Sequence, residues 1–259
     1  MITRRLKVVP LAFALTVGTA GSVVAQTLET ETARLLPAGW WKIGNAFEFQ
    51  TSTDGTEAAI PFAIEYGLSN RVELLVEPVP YTAIRPKVGR HAFGVGDVEA
   101  TVTGLLRPES RSAPALAIAA EVKLPTARDS LIGSREPDYT GYLIASKRFG
   151  RVDTHVNFAY TIVGRPDNVR LNNVFSVAVA GVYRANTRLQ FFGEVLGNTA
   201  ATPGSESASS SAPEVAGGEL VGTLGAGRDI GAGFLIYLAA SYDTNNAVLV
   251  RPGITWKFH

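Results

Sequence analysis

The stretch Gly94-Val95-Gly96-Asp97-Val98-Glu99-Ala100-Thr101-Val102-Thr103-Gly104-Leu105-Leu106-Arg107 runs through Pro108 to Ser112 into Ala113-Pro114-Ala115-Leu116-Ala117-Ile118-Ala119-Ala120-Glu121-Val122-Lys123-Leu124-Pro125-Thr126. In its first arm Val98, Ala100, Val102, Gly104 and Leu106 share one face, and Asp97, Glu99, Thr101, Thr103, Leu105 and Arg107 the other. In the second arm Leu116, Ile118, Ala120, Val122 and Leu124 oppose Ala115, Ala117, Ala119, Glu121 and Lys123. A period of two is that of a strand with chemically different faces. Each arm is about as long as a tilted strand needs to cross a bilayer. A soluble sandwich would turn the apolar face inward. A membrane barrel turns it to lipid and keeps the charges in its lumen. The hairpin alone fits both, so the rest of the chain has to decide.

The 259 residues suffice for one large β domain or two smaller ones. The formal net charge of +1 points to no nucleic acid or acidic partner. Mean hydropathy is slightly positive, yet no interior run approaches the ~18 apolar residues of a transmembrane helix. The absence of cysteine excludes a disulfide framework and a thiolate metal site. Residues 1–25 read as a signal peptide: Arg4, Arg5 and Lys7 are basic, Val8 to Val17 is apolar, and Val23-Val24-Ala25 precedes cleavage before Gln26. Residues 26–39 read as a periplasmic lead-in and 40–259 as the folded domain.

Twelve amphipathic segments follow from Trp40 onward. The cleanest runs from Arg151 to Gly164, where Val152, Val156, Phe158, Tyr160 and Ile162 alternate with Asp153, His155, Asn157 and Thr161. Asp138 to Lys147 sets Thr140, Tyr142 and Ile144 on one face, and Arg188 to Gly197 sets Leu189, Phe191 and Val195 against Gln190 and Glu194. Glu219 to Gly227 is weak and glycine-rich. Short turns (68–70, 108–112, 149–150, 185–187, 228–231) alternate with mostly longer loops (52–58, 82–93, 127–137, 165–172, 198–218, 243–246). An even-stranded barrel with short periplasmic turns and longer outer loops has this rhythm. The expected fold is therefore all-β, a transmembrane antiparallel up-and-down barrel of about twelve strands. Aromatic residues near strand ends, among them Trp41, Tyr66, Tyr183 and Trp256, fit interfacial girdles. Pro78 and Pro80 oppose the pattern, since a closed barrel has no edge to hide them; the third strand should bulge or leave the bilayer before Pro78.

The alternation points Glu48, Glu65, Glu73, Asp97, Glu99, Arg107, Glu121, Lys123, Asp153, His155, Asn157 and Glu194 into the lumen. It points Val98, Val102, Leu116, Ile118, Val156, Phe158 and Tyr160 to lipid. Lys or Arg on lipid at mid-depth would each cost roughly 2–4 kcal/mol, and several together would exceed the ~5–15 kcal/mol by which proteins are stable. The inward charges form either a polar conduit or a packed salt-bridge plug. Catalysis has little support: His155 lies beside Asp153, but no recognisable serine setting accompanies it and no Gly-x-Ser-x-Gly elbow occurs. No metal or cofactor motif is present.

Four pieces carry a resemblance: Gly94-Val95-Gly96-Asp97, Lys123-Leu124-Pro125-Thr126, Ser146-Lys147-Arg148-Phe149-Gly150 and His155 to Gly164. The chain resembles the outer-membrane family named for the meta-pathway of phenol degradation, best over residues 90–165, although Ala127 stands where members usually carry glycine. The resemblance implies a monomeric Gram-negative outer-membrane barrel, with a role in uptake of hydrophobic or aromatic compounds and no established catalytic residue. The expected function is a passive channel or facilitator without cofactor. Its expected partners are outer-membrane lipid, a small-molecule solute and, during insertion, the barrel-assembly machinery. A lipid-modifying enzyme using His155 and a serine, and a non-conducting structural or adhesive barrel, remain as alternatives.

Overall fold

A computed structural model describes residues 29–166, 170–201 and 219–259. The signal peptide and most of the 198–218 loop lie outside the described residues. Every regular element is a strand. In chain order they are β1 (Trp41–Ala46), β2 (Glu48–Thr51), β3 (Gly55–Ala59), β4 (Phe62–Ser69), β5 (Val72–Pro78), β6 (Thr82–Pro86), β7 (Ala92–Gly94), β8 (Val98–Arg107), β9 (Ala115–Leu124), β10 (Asp138–Phe149), β11 (Val152–Ile162), β12 (Val174–Arg184), β13 (Leu189–Asn198), β14 (Glu219–Gly231), β15 (Phe234–Asp243) and β16 (Val248–Phe258).

The first eight segments are four strands, each broken once; β9 to β16 run through. Twelve strands result, all paired antiparallel with their sequence neighbours. The sheet closes where β1 meets β16, from Trp41 opposite Phe258 to Ala46 opposite Gly253. Closure leaves the turn-side half of the wall without an edge, whereas in the other half β7 pairs with β6 alone.

The four breaks lie in one line across the wall, and proline explains three of them. Phe47, between β1 and β2, donates its N–H to Pro252 at 3.0 Å, but Pro252 has no N–H to return. The next break contains Pro61, whose carbonyl accepts from Ala46 at 3.2 Å. The third contains Pro80. Here Pro78 is still paired, opposite Val98, and the strand resumes at Thr82. The fourth is Gly96, whose N–H donates to Val79 at 2.7 Å. A Cβ on Gly96 would lie 2.8 Å from that of Val79, so only glycine lets the two chains approach this closely. The third strand therefore bends and continues past its prolines instead of ending before Pro78. Much of the expected 82–93 loop is thus strand, in β6 and β7, and the 52–58 loop shrinks to a hairpin turn between β2 and β3.

The inner face is packed rather than empty. One apolar cluster joins Ala46, Val182, Phe192, Leu235, Tyr237 and Ala239. A second joins Ala115, Ala117, Ala119 and Ile144 to Ala33 of the N-terminal segment, with Leu105 and Tyr142 against it. Near the end that carries the short turns, aromatic side chains on the outer face stack in pairs: Trp41 on Tyr66 with ring centroids 4.4 Å apart, and Trp256 between Phe258 (4.0 Å) and Phe234 (5.3 Å).

Candidate functional site

The site is the barrel interior, and the chain's own N-terminal segment occupies it. Residues 29–38 do not form a lead-in beneath the barrel. They cross its inside from the β13–β16 wall to the turn between β4 and β5. The reason lies in their hydrogen bonds. An isolated extended segment must satisfy each buried backbone N–H somewhere, and here inward-pointing side chains supply the acceptors. Thr30 N–H donates to Glu194 at 2.6 Å, and the Thr30 hydroxyl donates to the same carboxylate. Glu31 N–H donates to Asn157 Oδ1 at 2.6 Å, while Asn157 Nδ2 returns a bond to the Glu31 carbonyl at 2.9 Å. Ala33 N–H donates to Ser146 Oγ at 2.9 Å, and Leu36 N–H donates to Glu73. Ala38 N–H reaches Asn70 Oδ1 at 3.1 Å. The wall keeps its own ladders throughout, so the segment is an insert and not a thirteenth strand.

Charges fix the insert at two points. Glu29 takes Arg251 Nη2 at 2.8 Å, and Glu48 takes the Nε of the same guanidinium at 2.6 Å. Lower down, Arg34 pairs with Glu109 and approaches Asp153 at 3.1 Å. Asp153 is 1% exposed and also takes Arg148 at 2.9 Å and Arg184 at 2.7 Å. Three arginines on one buried carboxylate are tenable because each guanidinium has access to further acceptors or to water. Glu109 lies in the turn between β8 and β9. The Arg148 N–H at 3.0 Å and the Arg34 guanidinium hold its carboxyl down at about 2.

Beside this cluster Ser146 Oγ lies 2.8 Å from His155 Nδ1. A serine thus does stand next to the histidine, which the sequence reading missed. The signal was there: the turn at Phe149-Gly150 fixes a register in which Ser146 faces His155 across β10 and β11. The pair is 1% and 2% exposed, and Ser146 Oγ already accepts from Ala33. With the segment in place the hydroxyl is a bolt for the insert and has no open space for an acyl substrate.

On one side the wall is acidic. Glu77, Glu99, Lys123 and Asp138 form one cross-strand row, in which two carboxylates, Glu77 and Glu99, stand directly opposite. Lys123 pairs with Asp138. One row down, Glu121 accepts from Tyr142 at 3.0 Å and Thr101 at 3.2 Å. Nearer the turn end Lys42 and Glu65, both buried, pair at 2.6 Å. The side made by β12 to β16 is mixed, with Arg184, Gln190, Glu194 and Arg251 set among rings and small aliphatic groups. There Phe192 lies over Gly225 and Tyr237 over Gly253. A Cβ on either glycine would come within 2.3 Å of the ring it faces, so the bare backbone is the seat for the ring.

Of the residues read from sequence as inward, Glu65, Glu73, Asp153, His155, Asn157 and Glu194 are buried, and five of these six touch the insert or the cluster that anchors it. Glu48, Glu99, Glu121 and Lys123 are half-buried. Asp97 sits higher, accepting Ala127 N–H at 2.8 Å and bracing the β9–β10 loop. Arg107 is a correction. A bulge between Leu105 and Arg107 shifts the register and sets Arg107 opposite Leu116 of the outer face. The exposed guanidinium then donates to the Pro114 carbonyl at 3.3 Å. Val102, Ile118, Phe158 and Tyr160 are exposed on the outside, and Val98, Leu116 and Val156 are half-buried there. In β10, Thr140, Tyr142 and Ile144 face inward, against the insert's side of the wall.

A closed twelve-stranded antiparallel barrel of this kind is the architecture of outer-membrane channels. No protein-family model matches the chain, and no curated protein matches it in sequence. Solved structures share the fold at low identity. A COG4313 outer membrane channel from Pseudomonas putida F1 superposes with a TM-score of 0.64 at 12% identity, over 89% of this chain and 100% of that one. The NanC porin gives 0.59 at 10% identity, over 83% and 100%. The KdgM porin, in complex with disordered oligogalacturonate, gives 0.56 at 11% identity, over 84% and 99%.

Proposed function

We propose that this chain is an outer-membrane channel or facilitator for passive uptake of small molecules, with residues 29–38 as the removable occupant of its lumen. One observation carries the reading. The insert is held by side-chain acceptors and ion pairs, while no strand-to-strand ladder of the wall runs through residues 29–38. Removing the insert therefore costs the wall no ladder bond and opens a path down the middle. The barrel is read as a monomer in the outer membrane of a Gram-negative cell, short turns toward the periplasm, with its exposed apolar outer face on lipid.

Cargo of hydrophobic or aromatic character is favoured on two grounds. Residues 90–165 resemble the meta-pathway family. The β12–β16 side offers Val182, Phe192, Leu235 and Ala239 on its inner face. A polyanion such as the oligogalacturonate in the KdgM structure suits this interior poorly, because Glu77, Glu99 and Glu121 would repel it.

The test is single-channel recording on the mature protein beside a form lacking residues 29–36. Conductance should rise several-fold on deletion. In that open form Glu99→Lys with Glu121→Lys should move the reversal potential toward anions. An unchanged conductance after deletion rejects the conduit and leaves the structural barrel.

A further inference from the structure

The upper part of the first four strands carries a surface that the channel reading leaves unused. On its outside, Phe49, Ala58, Ala83 and Phe93 form one cross-strand row. Phe93 is 78% exposed and Val88, in the β6–β7 loop, 89% exposed. Two residues further along the strands, on the same face, the row becomes Thr51, Thr56 and Arg85. The outer face thus changes from apolar to cationic within one step of the pleat. Beyond Arg85 come Lys87 and Arg90, both exposed.

The β9–β10 loop completes the surface from the other side. Arg90 clamps Asp129 through two bonds of 2.6 Å and holds its carboxyl at about 2. Arg128 and Asp129 share with Phe93, Gly94 and Val95 a cavity of about 340 Å³. Arg135 donates to the Arg128 carbonyl at 2.6 Å, which brings a further cation beside it. The acids nearby are Asp54, Asp129 and Glu136, and Asp129 is already engaged by Arg90. Arg128 stands beside an apolar floor of Phe93 and Val95, and Arg85 and Lys87, both exposed, add positive charge on the β6 side of the same rim.

We infer that this rim docks the phosphorylated headgroup of an outer-leaflet lipid, its phosphate on Arg85, Lys87 and Arg128 and the first carbons of an acyl chain in the crevice at Phe93. Guanidinium groups match phosphate oxygens in forked geometry, and each cation close to an anionic lipid surface adds to the attraction. The inference rests on the barrel standing in the outer membrane with its loops outward. It does not rest on conduction.

The mature protein in detergent is tested by native mass spectrometry with a bis-phosphorylated, acylated glucosamine disaccharide and with the same lipid dephosphorylated. The wild type should retain the phosphorylated lipid. The R85E/K87E/R128E variant, its fold checked by heat-modifiable migration, should lose affinity by about a hundredfold. Phe93→Ser should weaken both lipids. Equal retention by the triple variant overturns the site. Displacement of the lipid by millimolar inorganic phosphate shows an anion site and no lipid dock, and overturns it too. On intact cells Lys87 should react with a membrane-impermeant amine reagent only after the outer-leaflet lipid has been extracted; reaction only from the periplasmic side would reverse the barrel's orientation and end the inference. Lipid binding by a barrel that fails to conduct would remove only the channel reading.

Discussion

The two sides of the interior are built by opposite means. From β4 to β11 the wall is lined with carboxylates, hydroxyls and cations, and its order comes from partners. From β12 to β16 Arg184, Glu194 and Arg251 stand among rings and small aliphatic groups, and much of the order comes from fit. The first side holds the insert by accepting its N–H groups at Glu73, Ser146 and Asn157, and Glu194 on β13 of the second side accepts one more. The second presents Phe192 and Tyr237 flat on glycine backbone. Polar contacts of the first kind are easily exchanged for water once the insert leaves. Packed contacts of the second kind persist without it. The contrast suggests how one lumen can be both plugged and permeable.

Breaking the polar side should have the largest effect, and Asp153 is the place to do it. Asp153→Ala leaves Arg34, Arg148 and Arg184 facing one another without their shared carboxylate. Removing one partner of a buried ion pair costs about 3–5 kcal/mol. The midpoint of heat-modifiable migration should fall accordingly, and the insert should loosen, seen as faster proteolysis after Arg34. A midpoint equal to the wild type's would show that water already carries these charges.

The packed side should respond by a smaller amount and for a different reason. Gly225→Ala puts a Cβ 2.2 Å from the Phe192 ring, and the ring has the wall behind it. Overpacking of this kind costs about 1–3 kcal/mol. Gly222→Ala, on the same strand with nothing within 4 Å, should be close to neutral. If the two alanines destabilise equally, the loss is one of strand backbone and the seat for Phe192 has no special role.

The alternation of apolar and charged residues made twelve strands and a closed barrel legible, since burial on one face repeats along every segment. Three things escaped it. The row of breaks did not show, because Pro252, Pro61 and Pro80 are far apart in sequence and only pairing aligns them. The insert did not show, because Glu29 to Ala38 has no periodicity; its bonds run from backbone to side chains more than a hundred residues away. Arg107 was placed on the wrong face because a single bulge reverses every later side chain. Ser146 beside His155 was recoverable, since a tight turn between β10 and β11 sets their register.

The smallest expected effect tests the outermost link of the polar side. Glu109 sits in a turn, partly exposed to water, so its pairing with Arg34 is worth little at neutral pH. Its value shows in the pH dependence. A carboxyl held at about 2 against an ordinary 4.5 contributes its stabilisation fully above the ordinary value and loses it as pH falls toward the lower one. Wild type and Glu109→Gln should therefore differ slightly in insert retention at pH 7, and the difference should shrink between about pH 4.5 and about pH 2. Protonation of other carboxylates acts on both proteins, and the subtraction removes it. Equal insert retention by the two proteins from pH 7 down to pH 2 would mean that Arg34 is anchored by Asp153 alone, and the polar side would end one residue short of the turn.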